Sequence, residues 1–144
     1  MSATVDTNVL VYASDTGSPR HGRARELLAD LAAGTALTTL FWPVLMGYLR
    51  IVTNPRIMRE PLASHAALSN VHHLLEHPCI RAVGEAEGFW KVFRAAAEPA
   101  QPTGNLIPDA HLVALMHQYG VRDIWTHDRD FRKFDGIVLR DPFS

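Results

Sequence analysis

One cysteine, two lysines and no long apolar run: these scarcities set the first limits on the chain. Cys79 alone can form no internal disulfide, which points to a reducing compartment; beside Ile80 it reads as a small buried apolar residue. No apolar stretch approaches the ~20 residues of a membrane helix. No basic segment with an apolar core precedes Thr4-Val5-Asp6, so no secretory leader is expected. The sequence thus predicts a cytoplasmic chain that makes no membrane contact. Basic excess is missing too: a net charge of -1 and a pI near 6.7 exclude attachment to nucleic acid by bulk charge. Any such contact must come from a local patch. Lys91 and Lys133 are the only lysines, so the cations are mostly arginines, whose planar fork suits phosphate oxygens. They gather as Arg20, Arg23 and Arg25, as Arg50, Arg56 and Arg59, and as Arg129 and Arg132 with Lys133. Each group alone reads equally well as a solvated helix face paired with Glu26 or Glu60.

What is present describes an ordinary globular chain. Its 144 residues fit one domain, 1–144, with enough length to bury a single core. Short apolar runs alternate with helical periodicity. Strands are predicted at 4–6, 36–39, 80–83, 123–126 and 137–139. Helices are predicted at 8–13, 19–33 with Ala24, Leu27, Leu28 and Leu31 on one face, 42–53, 64–77 capped by Ser64, 85–98, and from Asp109 to Tyr119. Gly34, Asn54-Pro55, Pro78 and Gly120 supply stops, and 99–104 reads as a loop. Strands that alternate with helices imply an α/β fold, a central parallel sheet of four to five strands with helices on both faces.

Asp6, Asp109 and Asp128 each stand where an apolar segment gives way to a turn or helix, and Asp130 follows two residues later. In parallel sheets the crevice beyond the carboxyl ends of the strands collects such residues. Asp109, at a helix start, could instead cap the free amide groups, a reading that weakens when three aspartates coincide. Clustered carboxylates repel, and a divalent cation resolves the repulsion. Oxygen donors without a matching set of cysteine or histidine favour Mg²⁺ or Mn²⁺ over Zn²⁺. The corresponding chemistry is phosphoryl transfer through an activated water.

The segments Val5-Asp6-Thr7-Asn8-Val9-Leu10, Leu49-Arg50-Ile51-Val52-Thr53-Asn54-Pro55-Arg56-Ile57, Asp109-Ala110-His111-Leu112-Val113-Ala114 and Thr126-His127-Asp128-Arg129-Asp130-Phe131 occur in that order, followed by Phe134 and Gly136. Together they resemble PIN domains, and most closely the VapC-type toxins of bacterial toxin-antitoxin pairs. The resemblance spans nearly the whole chain. It implies a Mg²⁺-dependent endoribonuclease acting on structured RNA such as transfer RNA, restrained by a small cognate antitoxin and homodimeric. By position, Asp6 and Asp109 look like the metal ligands, Asp128 and Asp130 complete the acidic cluster, and Thr126 is a polar support. One departure stands out. The family commonly has a glutamate just before an aromatic-Leu-Arg run, where this chain has Gly47 before Tyr48-Leu49-Arg50, and no acidic residue lies between Gly34 and Arg59.

Three other readings compete. Gly47 suits a weak or inert relative that binds RNA or antitoxin without cleaving. An aspartate after the first strand also occurs in phosphotransfer domains, which want a second acid near Asp6, where this chain has Thr7 and Asn8, and a late lysine. His73-Leu74-Leu75-Glu76-His77 matches the pattern of inverted zinc peptidases, or else forms a polar helix end beside the helix dipole.

Overall fold

Five short strands lie side by side in the order β3-β2-β1-β4-β5, every neighbouring pair parallel, in the computed structural model, which describes residues 2–144. The strands are β1 (Ala3–Val5), β2 (Thr38–Phe41), β3 (Ile80–Val83), β4 (Asp123–Trp125) and β5 (Val138–Arg140). The α/β expectation holds. All four residues of β2 are buried, so both its faces are covered, as a parallel sheet between helices requires. Strand order reverses about β1, whose neighbours are β2 and β4, and that switch point is where such sheets open a crevice.

Six helices connect the strands among the described residues: α1 (Thr7–Ser14), α2 (His21–Ala33), α3 (Trp42–Val52), α4 (Ser64–Leu75), α5 (Phe89–Ala100) and α6 (Leu106–Tyr119). None is long and apolar enough to cross a membrane. Helix α6 carries Ala110 and an unbroken buried run from Leu112 to Met116, which makes it a core helix apolar nearly all round. Gly120 stops it at φ 68°, a left-handed conformation that glycine adopts freely. Phe41, Leu45, Leu115, Met116, Ile124 and Phe131 are among the large side chains fully buried in the core.

Several boundaries differ from the sequence reading, each for a local reason. The second strand begins two residues late, at Thr38, and runs directly into α3, with Pro43 in the first helical turn. Ser64 is the first helical residue and not the cap; the cap position is Ala63, which makes no side-chain capping bond. Helix α5 starts at Phe89 because Gly88, at φ 78°, turns the chain, and it continues through Pro99 to Ala100. Helix α6 starts at Leu106, three residues before Asp109. Pro108 sits in its first turn, where no backbone N–H is needed. His77 lies beyond the end of α4, so His73 and His77 do not share a helix face, and the one potential metal-binding group among the described residues lies elsewhere. The zinc-peptidase reading falls on both counts.

Candidate active site

β1 ends at Val5, and Asp6 turns the chain into α1. Its backbone is extended and its carboxylate Oδ1 accepts the Thr7 N–H at 2.8 Å, a capping bond. Oδ2 accepts the Thr126 hydroxyl at 2.9 Å, and Thr126 follows β4 just as Asp6 follows β1. The Thr126 oxygen in turn accepts the Asp128 N–H at 2.9 Å. Asp128 caps the short 3₁₀ helix Arg129–Lys133 by accepting the Asp130 N–H at 2.9 Å. Hydrogen bonds thus tie the ends of the two central strands together, and the acids ride on that tie.

Asp109 reaches the same place from the first turn of α6. Carboxylate oxygens of Asp109, Asp128 and Asp130 lie within 4.8 Å of one another. Asp6 stands beside this trio and feels it electrostatically. Burial raises its carboxyl's pKa, hydrogen bonds from Thr126 and Thr7 oppose the rise, and the charge of Asp128 adds to it. Asp109 is pushed up to about 7, first by burial and then by the charges of Asp128, Asp6 and Asp130, with Lys133 pulling the other way. All four sequence-predicted acids therefore share one neighbourhood. The tightest oxygen set is Asp109, Asp128 and Asp130, and Asp6 is the most deeply buried member, 8% exposed.

The chain is matched by the PIN-domain family model over residues 3–137. It belongs to the PIN-domain family. Ribonuclease VapC48 of Mycobacterium tuberculosis is 53% identical over 144 residues, covering 100% of this chain and 99% of that one. Among solved structures, this PIN domain matches VapC20 of M. tuberculosis, described as a toxin that cleaves the sarcin-ricin loop, with a TM-score of 0.68 at 20% identity over 94% of this chain and 96% of that one. VapBC2 of Rickettsia felis, bound to a DNA fragment from its promoter, matches with a TM-score of 0.68 at 14% identity over 97% and 98% of the two chains. At those identities the structures establish the shared fold, and the sequence match makes this PIN domain one of VapC type.

Gly47, the departure noted above, touches this site indirectly. A Cβ at position 47 would lie 3.3 Å from the Thr7 methyl and 3.4 Å from its hydroxyl oxygen, and Thr7 is the residue whose N–H binds Asp6. Here Thr7 occupies the space that a side chain on α3 would first enter. Gly47→Ala is expected to leave the free energy of unfolding within about 1 kcal/mol of wild type. The helix-propensity gain of about 1 kcal/mol is offset by crowding against Thr7. Urea unfolding checks this, and a loss above about 2 kcal/mol would mean Thr7 cannot give way.

Two features of the neighbourhood escape sequence reading. Asp123 is buried at the start of β4 and receives the Arg140 guanidinium at 3.0 Å, a structural pair away from the acidic group. His127 bonds to Arg20 and Asp141. A hollow of about 390 Å³ among Leu10, His21, Leu45, Tyr48, Asn70 and Leu74 contains none of the four acids.

Proposed function

We propose that this VapC-type ribonuclease hydrolyses phosphodiester bonds of structured RNA, such as transfer RNA, using Mg²⁺, with Mn²⁺ as a substitute. Asp6 and Asp109 would hold the ion, and Asp128 and Asp130 would complete the pocket. The observation that carries this reading is the electrostatic conflict at Asp109. A carboxyl lifted to about 7 by burial and by three acidic neighbours is where a fixed cation restores balance. The donors are all carboxylate oxygens, which suits a hard ion that keeps waters and a substrate phosphate in its remaining positions. A bound divalent ion supplies a water acidified for attack and a counter-charge for the phosphate and its leaving oxygen.

The chain's own groups do the positioning. Thr126 fixes one oxygen of Asp6 and the Thr7 N–H the other, so Asp6 presents its remaining lone pairs in a set direction. Asp128 and Asp130 lie close enough to Asp109 to orient a water by hydrogen bonding and accept its proton. Exposed Arg129, Arg132 and Lys133 on the 3₁₀ helix flank the acids and would grip the RNA backbone, the local patch that a near-neutral chain needs. The partners we assign are a small cognate antitoxin and a second copy of the chain in a homodimer. Exposed Trp42, Met46 and Trp90 supply apolar surface for such contacts, and the setting is the cytoplasm.

The test is incubation of antitoxin-free protein with total cellular RNA in Mg²⁺, in Mn²⁺ and in chelator. Discrete fragments that disappear with chelator are the expected result. Metal-dependent folding without cleavage would favour the binding-only reading that Gly47 suggests. In parallel, metal at about tenfold its dissociation constant is expected to raise the melting temperature by about 3–6 °C at neutral to alkaline pH. The gain should shrink as pH falls through about 7, because protons then compete for Asp109.

A further inference from the structure

We propose that the segment after β5, Asp141–Phe143, is a positioning element for the acidic pocket and acts through His127. The proposal rests on that pocket being the metal site described above. His127 sits between Thr126 and Asp128, so its peptide links the hydroxyl that holds Asp6 to the acid that faces Asp109. Its ring points the other way, into a clasp. Nδ1 lies 2.8 Å from Asp141 Oδ2, and Nε2 lies 2.9 Å from the Arg20 guanidinium. Asp141 can only accept and Arg20 can only donate, so both contacts are met when Nδ1 carries the proton and Nε2 the lone pair. The ring is then fixed in orientation and tautomer from both sides.

The clasp has its own anchors, on elements remote in sequence. Arg20 also donates to the Tyr12 hydroxyl at 2.9 Å, and its guanidinium lies 5.2 Å from the Tyr12 ring centre and 5.4 Å from that of Phe143. Phe143 sets its ring edge-on to Tyr12 at 5.4 Å and to His127 at 5.9 Å. Asp141 Oδ1 accepts the Phe143 N–H at 2.9 Å, and Arg23 donates to the Pro142 carbonyl at 2.9 Å. Pro142 is buried, so the segment is seated on α1 and α2 and not trailing in solvent.

The half-exposed turn from Thr126 to Asp130 is thereby held from two sides, by Asp6 through Thr126 and by Arg20 and Asp141 through His127. Releasing the second hold leaves Asp128 with Thr126 on one side and the Phe131-rooted 3₁₀ helix on the other, with the peptide between them free to shift, and its carboxylate loses part of its fixed aim at Asp109. His127, Arg20, Asp141 and Phe143 are positioning residues, because they lie outside the acidic group and reach it only through the turn that carries Thr126 and Asp128. Groups that orient metal-binding carboxylates typically change metal affinity about ten- to a hundredfold when removed.

Full-length protein carrying His127→Ala, Asp141→Ala or Phe143→Ala tests this against a merely structural role. The readouts are Mn²⁺ affinity from the free-ion electron paramagnetic signal, amide hydrogen exchange, and the split of cleavage kinetics into kcat and KM on total RNA. His127→Ala and Asp141→Ala are expected to weaken Mn²⁺ binding about tenfold or more and to lower kcat with little change in KM. Exchange should speed up at Thr126–Asp130 while β1 and α6 stay protected. Asp141→Asn, whose one amide oxygen can accept from His127 while the Phe143 N–H loses its partner, should recover part of the loss. Wild-type affinity and wild-type exchange at Thr126–Asp130 in all three alanine variants would overturn the proposal. So would faster exchange spread equally over β1 and α6, which marks general destabilisation. If the wild type cleaves no RNA or binds no Mn²⁺, the nuclease or metal reading fails by itself, and local exchange still decides the clasp.

Discussion

Asp109→Asn is expected to make the metal-free protein more stable near neutral and alkaline pH while lowering RNA cleavage at least about a hundredfold. The two effects share one cause. Burial and the neighbouring charges of Asp128, Asp6 and Asp130 hold the folded-state pKa of Asp109 at about 7, above its usual value. A carboxyl raised in this way contributes no instability below its unfolded pKa. As pH rises from about 4 to about 7 the unfolded chain gives up the proton first, and stability is lost across that window. An amide at position 109 has no charge to bury, so the variant escapes the loss. With allowance for solvent screening at a half-buried group, the gain above pH 7 is on the order of 1–2 kcal/mol, or about 3–8 °C in melting temperature. At about pH 4 the variant and the wild type should melt together. Scanning calorimetry at several pH values in chelator checks the sign. A variant less stable than wild type at every pH would mean that the Asp109 carboxylate makes a favourable contact in the metal-free fold. Saturating metal should reverse the ranking, because only the wild type can bind it fully.

Phe131→Ala is expected to do the opposite and to produce the largest loss of stability from one substitution near the site. Phe131 is fully buried, and it is the side chain that roots the 3₁₀ helix Arg129–Lys133 in the core. Truncating a buried phenylalanine destabilises by about 3–5 kcal/mol, through lost burial and the cavity left behind. For a chain of this size that lowers the melting temperature by roughly 10 °C or more. Asp128 and Asp130 flank this anchor, so the variant should also lose most of its stabilisation by metal. Denaturant unfolding with and without Mn²⁺ reads both effects. A midpoint within about 1 kcal/mol of wild type would show that Phe134 and its neighbours collapse to fill the space.

How far the site was legible in the sequence depends on how local each signal is. Asp6 was the clearest, because a short β-prone segment followed by Asp-Thr-Asn announces a strand end; the strand closes at Val5, and Asp6, expected as its last residue, instead caps a helix that begins at Thr7 and not at Asn8. The alternation of short strands with helices gave the parallel sheet, since few chain paths satisfy it. Asp109 was placed in the correct helix and in its first turn, but the helix starts three residues earlier, at Leu106. Proline fits a first turn, so Pro108 does not delay the start. Glu85 looked like a helix start, but its carboxylate pairs with His111 and Gly88 delays the helix to Phe89. Tertiary pairing of that kind leaves no periodicity to read. The same holds for which acids lie closest. Composition could say that a cation was wanted, but only the fold brings oxygens of Asp109, Asp128 and Asp130 within 4.8 Å. The Arg20–His127 contact joins residues 107 apart and carries no motif at all.

The bond between Thr126 and Asp6 spans 120 residues, and β1 lies between β2 and β4 at the middle of the sheet. Birth order follows from that geometry. At roughly 5–20 residues per second, a ribosome that has made Asp6 works for about 6–24 s more before it adds Thr126. Until β4 arrives, β1 has one flank empty, Asp6 lacks its hydroxyl partner, and no acidic pocket exists. A chain terminated before Thr126 therefore lacks Asp128, Asp130 and the hydroxyl that holds Asp6, and a partner synthesised alongside has that interval in which to be ready before the pocket first closes.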